Sequence, residues 1–111
     1  MLLPNYSMAI VDIAKLTEYC LNEYHHKGKH KARLFKSVLN ITSENSDFLK
    51  EIIINGIRVY PAVEHETDEY GKRYTVDIKI LNIEIITIRT NWIIKTQEVN
   101  PRLTSCYAQQ K

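Results

Sequence analysis

The sequence predicts an α+β fold in which N-terminal helices pack on one face of a C-terminal, mainly antiparallel four-stranded sheet. Apolar residues recur at helical spacing through the first half of the chain, and after Gly56 the period drops to two. A length of 111 residues suffices for one core and is too short for two. The chain therefore reads as a single domain, residues 1–111, with helices over about 12–55 and the sheet over about 58–108.

Ile13, Leu16, Cys20 and Tyr24 follow helical spacing, with Asp12 placed to cap a first helix over Asp12 to Tyr24. Gly28 breaks the pattern. A second face resumes with Ala32, Phe35, Val38 and Leu39 and ends near Asn40. Thr42 or Ser43 can cap a third helix that buries Phe48, Leu49, Ile52 and Ile53, with Asn55-Gly56 as a left-handed stop, although its isoleucine-rich last turn also fits a strand. Arg58 to Val63 reads as a weak strand interrupted by Pro61, hence an edge strand, and His65 to Gly71 as an acidic turn. Tyr74, Val76, Ile78 and Ile80 alternate with Thr75, Asp77 and Lys79, and Asn82 marks a reversal. Ile83 to Ile94 forms the longest strand, with Ile86, Ile88, Trp92 and Ile94 opposite Thr87, Arg89 and Asn91. A polar loop leads to a last strand from Arg102 to Ala108.

Hydrophobic content of 44% and charged content of 25% exclude a disordered or fibrous class. The apolar runs are far shorter than the roughly 20 residues that cross a bilayer, and no signal-peptide pattern opens the chain, so a cytoplasmic location without membrane contact is expected. Cys20 and Cys106 lack any CxxC spacing and are expected as buried free thiols. Three glycines, none grouped, leave no Walker or dinucleotide loop, and no Gly-x-Ser-x-Gly elbow occurs.

The net charge of +2 is small, but its distribution is uneven. Between Tyr24 and Ser43 lie Lys27, Lys29, Lys31, Arg33 and Lys36, with His25, His26 and His30, and no acid. A basic, imidazole-rich loop running into a helix N-terminus suits a phosphate, because backbone N–H groups, the helix dipole and the cations all favour an anion. Composition alone favours the plainer reading, a solvated cationic loop. Three histidines can also ligate zinc, nickel or copper, but the cations oppose a divalent ion and no carboxylate or thiol stands at useful spacing, so no metal and no cofactor is expected. Histidine as proton shuttle is the better reading, since an unperturbed imidazole titrates at about 6.5.

A second concentration lies on the sheet: Arg73, Tyr74 and Asp77, then Arg89, Thr90 and Trp92, then Arg102, Thr104, Ser105 and Tyr107. Arg89, on a mostly apolar strand, needs a partner, which can be Asp77 or a phosphate. Trp92 reads as core, while Tyr74 and Tyr107 fit either the core edge or base stacking.

Several blocks carry a resemblance: Lys15-Leu16-Thr17-Glu18-Tyr19, the run from His26 to Phe35, the run from Asp68 to Tyr74, Arg89-Thr90-Asn91-Trp92, and the run from Pro101 to Tyr107. Through them the sequence resembles an uncharacterised family of small bacterial domains, found free-standing or at the ends of larger toxin-like chains. The order of helices then strands resembles the RelE, barnase and EndoU group of RNase toxins, which implies that fold and RNA as substrate.

The expected activity is therefore that of a metal-independent endoribonuclease toxin, acting by attack of the ribose 2′-hydroxyl on the adjacent phosphate. His26 is the first choice for acid/base work and His30 the second. Lys31 and Arg89 hold the phosphate, and Ser105 and Tyr107 orient or protonate the leaving oxygen. Lys27, Lys29, Arg33, Arg73 and Arg102 bind RNA. A toxin of this kind implies a cognate antitoxin, acidic and encoded nearby. The alternative is a non-catalytic nucleic-acid- or protein-binding module of a toxin–antitoxin or immunity pair, although an inhibitor of an RNase would more naturally be acidic.

Overall fold

The computed structural model describes residues 1–81 and 85–110. Three helical segments precede four strands: α1 (Ile13–Lys15), which continues as a π-helical turn (Leu16–Cys20), α2 (Lys29–Leu39), α3 (Ser46–Gly56), β1 (Ala62–Asp68), β2 (Gly71–Leu81), β3 (Ile85–Lys95) and β4 (Arg102–Gln110). The strands form one antiparallel sheet in the order β1-β2-β3-β4, with β1 at one edge and β4 at the other. The α+β class is thus as expected. Asn82 and Ile83, expected as a reversal and a strand start, lie outside the described residues.

Asp12 caps α1 as expected, its Oδ1 accepting from the Ala14 amide at 3.0 Å. The helix stops short of Tyr24, which is 93% exposed. The cause is the wide turn closed by Leu21 N donating to Leu16 O at 2.8 Å, which turns Leu16, Cys20 and Leu21 inward together. Asn22 then takes the chain out of the helix: its Nδ2 donates to Glu18 O and its Oδ1 accepts from Tyr24 N at 2.9 Å.

Helix α2 buries Ala32 and Phe35 and ends at left-handed Asn40 (φ 54°), where Ile41 N donates back to Phe35 O and the Ile41 side chain is buried. Thr42 and Asn45 close a capping box ahead of α3. That helix buries Leu49 and Ile53 as expected, but Phe48 is 56% exposed. Gly56 is not the left-handed stop expected of it; it ends α3 in helical conformation against β2. A Cβ there would lie 2.6–2.8 Å from side-chain atoms of Ile78, so glycine permits the close approach of helix to sheet.

The edge strand starts later than the sequence suggests. β1 runs through Ala62–Asp68, after Pro61 rather than around it, and the turn shrinks to Glu69 and Tyr70. Asp68 Oδ1 closes it by accepting from Tyr70 N at 2.8 Å and Gly71 N at 3.2 Å. After Ala62 every β1 residue is exposed, so the strand carries no apolar alternation by which to recognise it.

The core lies between the helices and one sheet face, where Val76, Ile78, Ile86, Ile88, Trp92, Cys106 and Ala108 are buried. Trp92 is core, as expected. Thr90 is the polar member: its hydroxyl accepts from Trp92 Nε1 at 2.8 Å and donates to Val76 O at 2.7 Å. Both ends of the indole-to-carbonyl chain are satisfied, which removes the cost of burying it. No helix among the described residues is long and apolar enough to cross a membrane.

Candidate functional site

Strand alternation places Arg73, Thr75 and Asp77 of β2, Arg89 and Asn91 of β3, and Ser105 and Tyr107 of β4 on the sheet face opposite the core. The register sets them in two adjacent rows, Asp77-Arg89-Tyr107 and Thr75-Asn91-Ser105.

In the first row Arg89 meets Asp77 with Nε to Oδ1 at 2.9 Å and Nη2 to Oδ2 at 3.0 Å. Of the two partners weighed for Arg89, the structure supplies the carboxylate. The fork-to-carboxylate pair, followed by a hydrogen bond with Tyr107, raises the guanidinium's pKa further above its ordinary range. Both side chains stay more than one-third exposed, so the pair contributes under about 1 kcal/mol to stability.

The second row is a chain of side-chain hydrogen bonds across the whole sheet. His65 Nε2 and Thr75 Oγ1 are 2.8 Å apart, Thr75 Oγ1 donates to Asn91 Oδ1 at 2.9 Å, and Asn91 Nδ2 donates to Ser105 Oγ at 3.0 Å. With its hydroxyl proton committed to Asn91, Thr75 accepts from His65, which places the proton of this imidazole on Nε2. His65, Thr75 and Asn91 were missed as functional candidates because His65 was read as turn. The period-2 parity of Thr75 and Asn91 with Ser105 was the available signal.

The basic loop reaches this face at the β4 edge. His25 organises it: Nδ1 accepts from Lys27 N at 3.1 Å and Gly28 N at 3.0 Å, and the ring packs against Tyr19 with centroids 4.2 Å apart. The loop then enters α2 without a side-chain cap. From the first turn Lys31 extends its Nζ over the Tyr107 ring, 4.4 Å from the centroid. Lys27, Gly28 and Lys31 thereby share a pocket of about 190 Å³ with Cys20, Thr104, Ser105 and Cys106. A neighbouring hollow of about 300 Å³ is lined by His65, Arg73, Thr75, Asn91, Thr104 and Ser105, so Thr104 and Ser105 border both.

The profile of a family described as "Domain of unknown function (DUF6883)" matches residues 2–110. The chain belongs to the DUF6883 family. No match was found among the curated proteins or the solved structures.

In this DUF6883 domain, then, Lys31, Arg89, Ser105 and Tyr107 come together, with Lys27 beside them. His26 and His30 are exposed, each next in sequence to a lysine of the first pocket. Arg33 is exposed and Lys29 half-buried on α2. Arg73 lines the second hollow but is paired with Asp68, Nε to Oδ2 at 2.8 Å. Arg102 is held by Glu98 at 2.9 Å and borders a different pocket, with Asp12 and Lys15. Tyr74 belongs to the core at 6% exposure, whereas Tyr107 is half-exposed under Lys31. Among the described residues no three His, Cys, Asp or Glu side chains gather as a metal-ligand group.

Proposed function

We propose that this DUF6883 domain is a metal-independent endoribonuclease toxin of a bacterial toxin–antitoxin system, cleaving RNA by 2′-hydroxyl attack on the adjacent phosphate. The observation that carries this reading is the corner where Lys31 covers Tyr107 and shares a pocket with Ser105. A phosphate there meets the α2 N-terminus, Lys27 and Lys31 on one side and hydroxyls on the other, which is the electrostatic complement of a phosphorane's developing charge.

Two proton carriers serve this corner in the reading. His26 stands on the loop, with His30 in the first turn of α2 as understudy, and His65 stands at the far end of the hydrogen-bonded row that ends on Ser105. Cleavage by this route needs one group to remove the 2′-proton and another to protonate the leaving 5′-oxygen. Lys29 and Arg33 extend the positive field along which RNA is held, while Arg73 and Arg102 would contact RNA only by exchanging their Asp68 and Glu98 partners for phosphate. The order of three helices followed by a four-stranded antiparallel sheet supports the likeness to RelE, barnase and EndoU toxins. An acidic antitoxin would cover the cationic loop, and the site works in this reading without a cofactor.

Purified protein mixed with RNA at equal concentration in EDTA is expected to yield fragments ending in 2′,3′-cyclic phosphate. RNA that stays intact under these conditions, with and without added divalent metal, overturns the nuclease reading.

A second reading, a non-catalytic module binding RNA, is favoured by the Asp77 pair, which already neutralises Arg89. Asp77→Asn separates the roles of this arginine. Freeing Arg89 is expected to tighten RNA binding several-fold and steepen its salt dependence by about one phosphate contact, read by titration at two ionic strengths. Unchanged affinity and slope would place Arg89 outside the RNA path.

A further inference from the structure

Cys20 and Cys106 play no part in the reading above, yet they meet. One closes the π-helical turn and the other lies in β4, two elements that pack against each other. Both are free, and both are buried, at 8% and 2% exposure. Both also border the pocket that holds Lys27 and Lys31, so a small molecule entering it touches sulfur. A free core cysteine ordinarily packs as a small hydrophobe; these two border one opening.

We infer that Cys20 and Cys106 are an oxidisable pair, converted by a hydroperoxide into a reversible disulfide that ties the first helical turn to β4 beneath the cationic pocket. The inference stands whether or not the chain cuts RNA.

The two sulfurs are chemically unequal. The Cys106 thiol donates to Cys20 and lowers its pKa to about 7, against the effect of burial and with help from the Lys15 and Lys31 ammonium groups. Cys106 keeps the shared proton and is raised well above the ordinary thiol range. Cys20 is therefore the nucleophile and Cys106 the resolving thiol. In the first step the Cys20 thiolate attacks one peroxide oxygen. The S–O bond forms, the O–O bond breaks, and the departing oxygen takes up a proton to leave as alcohol, or as water when the oxidant is hydrogen peroxide. In the second step the Cys106 sulfur attacks the Cys20 sulfenic acid. The S–S bond forms, the S–O bond breaks, and the hydroxyl leaves as water with the Cys106 proton. The two sulfurs together lose two electrons, which reduce one peroxide.

The test uses the full chain and hydrogen peroxide at a few equivalents. Intact mass is expected to fall by about 2 Da, non-reducing peptide maps to join the Cys20 and Cys106 peptides, and dithiothreitol to reverse both. Cys106→Ser is expected to stop at a sulfenic acid on Cys20, trapped by a cyclic diketone, while Cys20→Ser leaves Cys106 unoxidised. Should either variant fail to fold, iodoacetamide on the native parent protein decides the asymmetry: Cys20 is expected to alkylate at least tenfold faster than Cys106. Thiols that resist peroxide in the folded protein, a disulfide that forms only in denaturant, or equal alkylation rates would each overturn the inference.

Discussion

Alanine at His26 and alanine at His65 are each expected to slow RNA cleavage by about two orders of magnitude or more, with RNA affinity nearly unchanged. The argument is one of proton inventory. Attack by the 2′-hydroxyl releases a proton on one side of the phosphate and departure of the 5′-oxygen consumes one on the other, so losing either carrier cripples the step while leaving the electrostatic hold intact. His65 lines the same hollow as Ser105, and the row through Thr75 and Asn91, with bonds of 2.8, 2.9 and 3.0 Å, holds its ring in position there. Asn91→Ala, which cuts that chain without removing an imidazole, is therefore expected to lower the rate by a smaller factor than His65→Ala. Single-turnover rates beside binding titrations make the distinction. Parental rates in both alanine variants would remove histidine from the mechanism.

Gly71→Ala is expected to cost about 3 kcal/mol or more, a large part of the 5–15 kcal/mol that holds a domain of this size. Gly71 opens β2 at φ 145°, where side chains are strained, and pairs with Lys95 across the ladder. An added Cβ would press into the Ile94 carbonyl oxygen and approach Lys95 Cα to 2.8 Å. Those are backbone atoms in the central strand pair, so no rotamer change relieves the clash. β1 hangs on β2 through the turn that ends at this residue, and the whole hairpin must shift. Urea unfolding should show a lower midpoint at an unchanged slope. A loss under about 1 kcal/mol would mean that the turn relaxes more freely than its geometry implies.

Local patterning explains which elements could be read in advance. Helix α2 and strands β2, β3 and β4 each bury one face, so their apolar residues repeat at 3.6 or 2, and the caps, Asp12 ahead of α1 and Asn40 at the end of α2, are short-range chemistry. β1 defeated the same method because it buries only Ala62, and an edge strand exposed on both faces shows no period. The first helix was overextended because Tyr24 keeps the helical spacing although Asn22 has already turned the chain away.

The candidate site divides along the same line. The cationic loop and the outward parity of Arg89 were visible in the chain itself, since charge density and strand alternation are properties of neighbours in sequence. Its meeting with the sheet was not. Lys31 over Tyr107, His65 joined to Ser105 and Cys20 against Cys106 are contacts between residues far apart in the chain. The amino-acid pattern by itself determined the α+β class, the helices-then-sheet order and a basic, imidazole-rich surface. Only the tertiary structure decided that Arg89 is bound by Asp77, that Gly56 serves a close packing rather than a turn, and which hydroxyls and thiols border the lysines. The reason is that those outcomes depend on strand register and on how helices settle against the sheet, which the whole core sets at once.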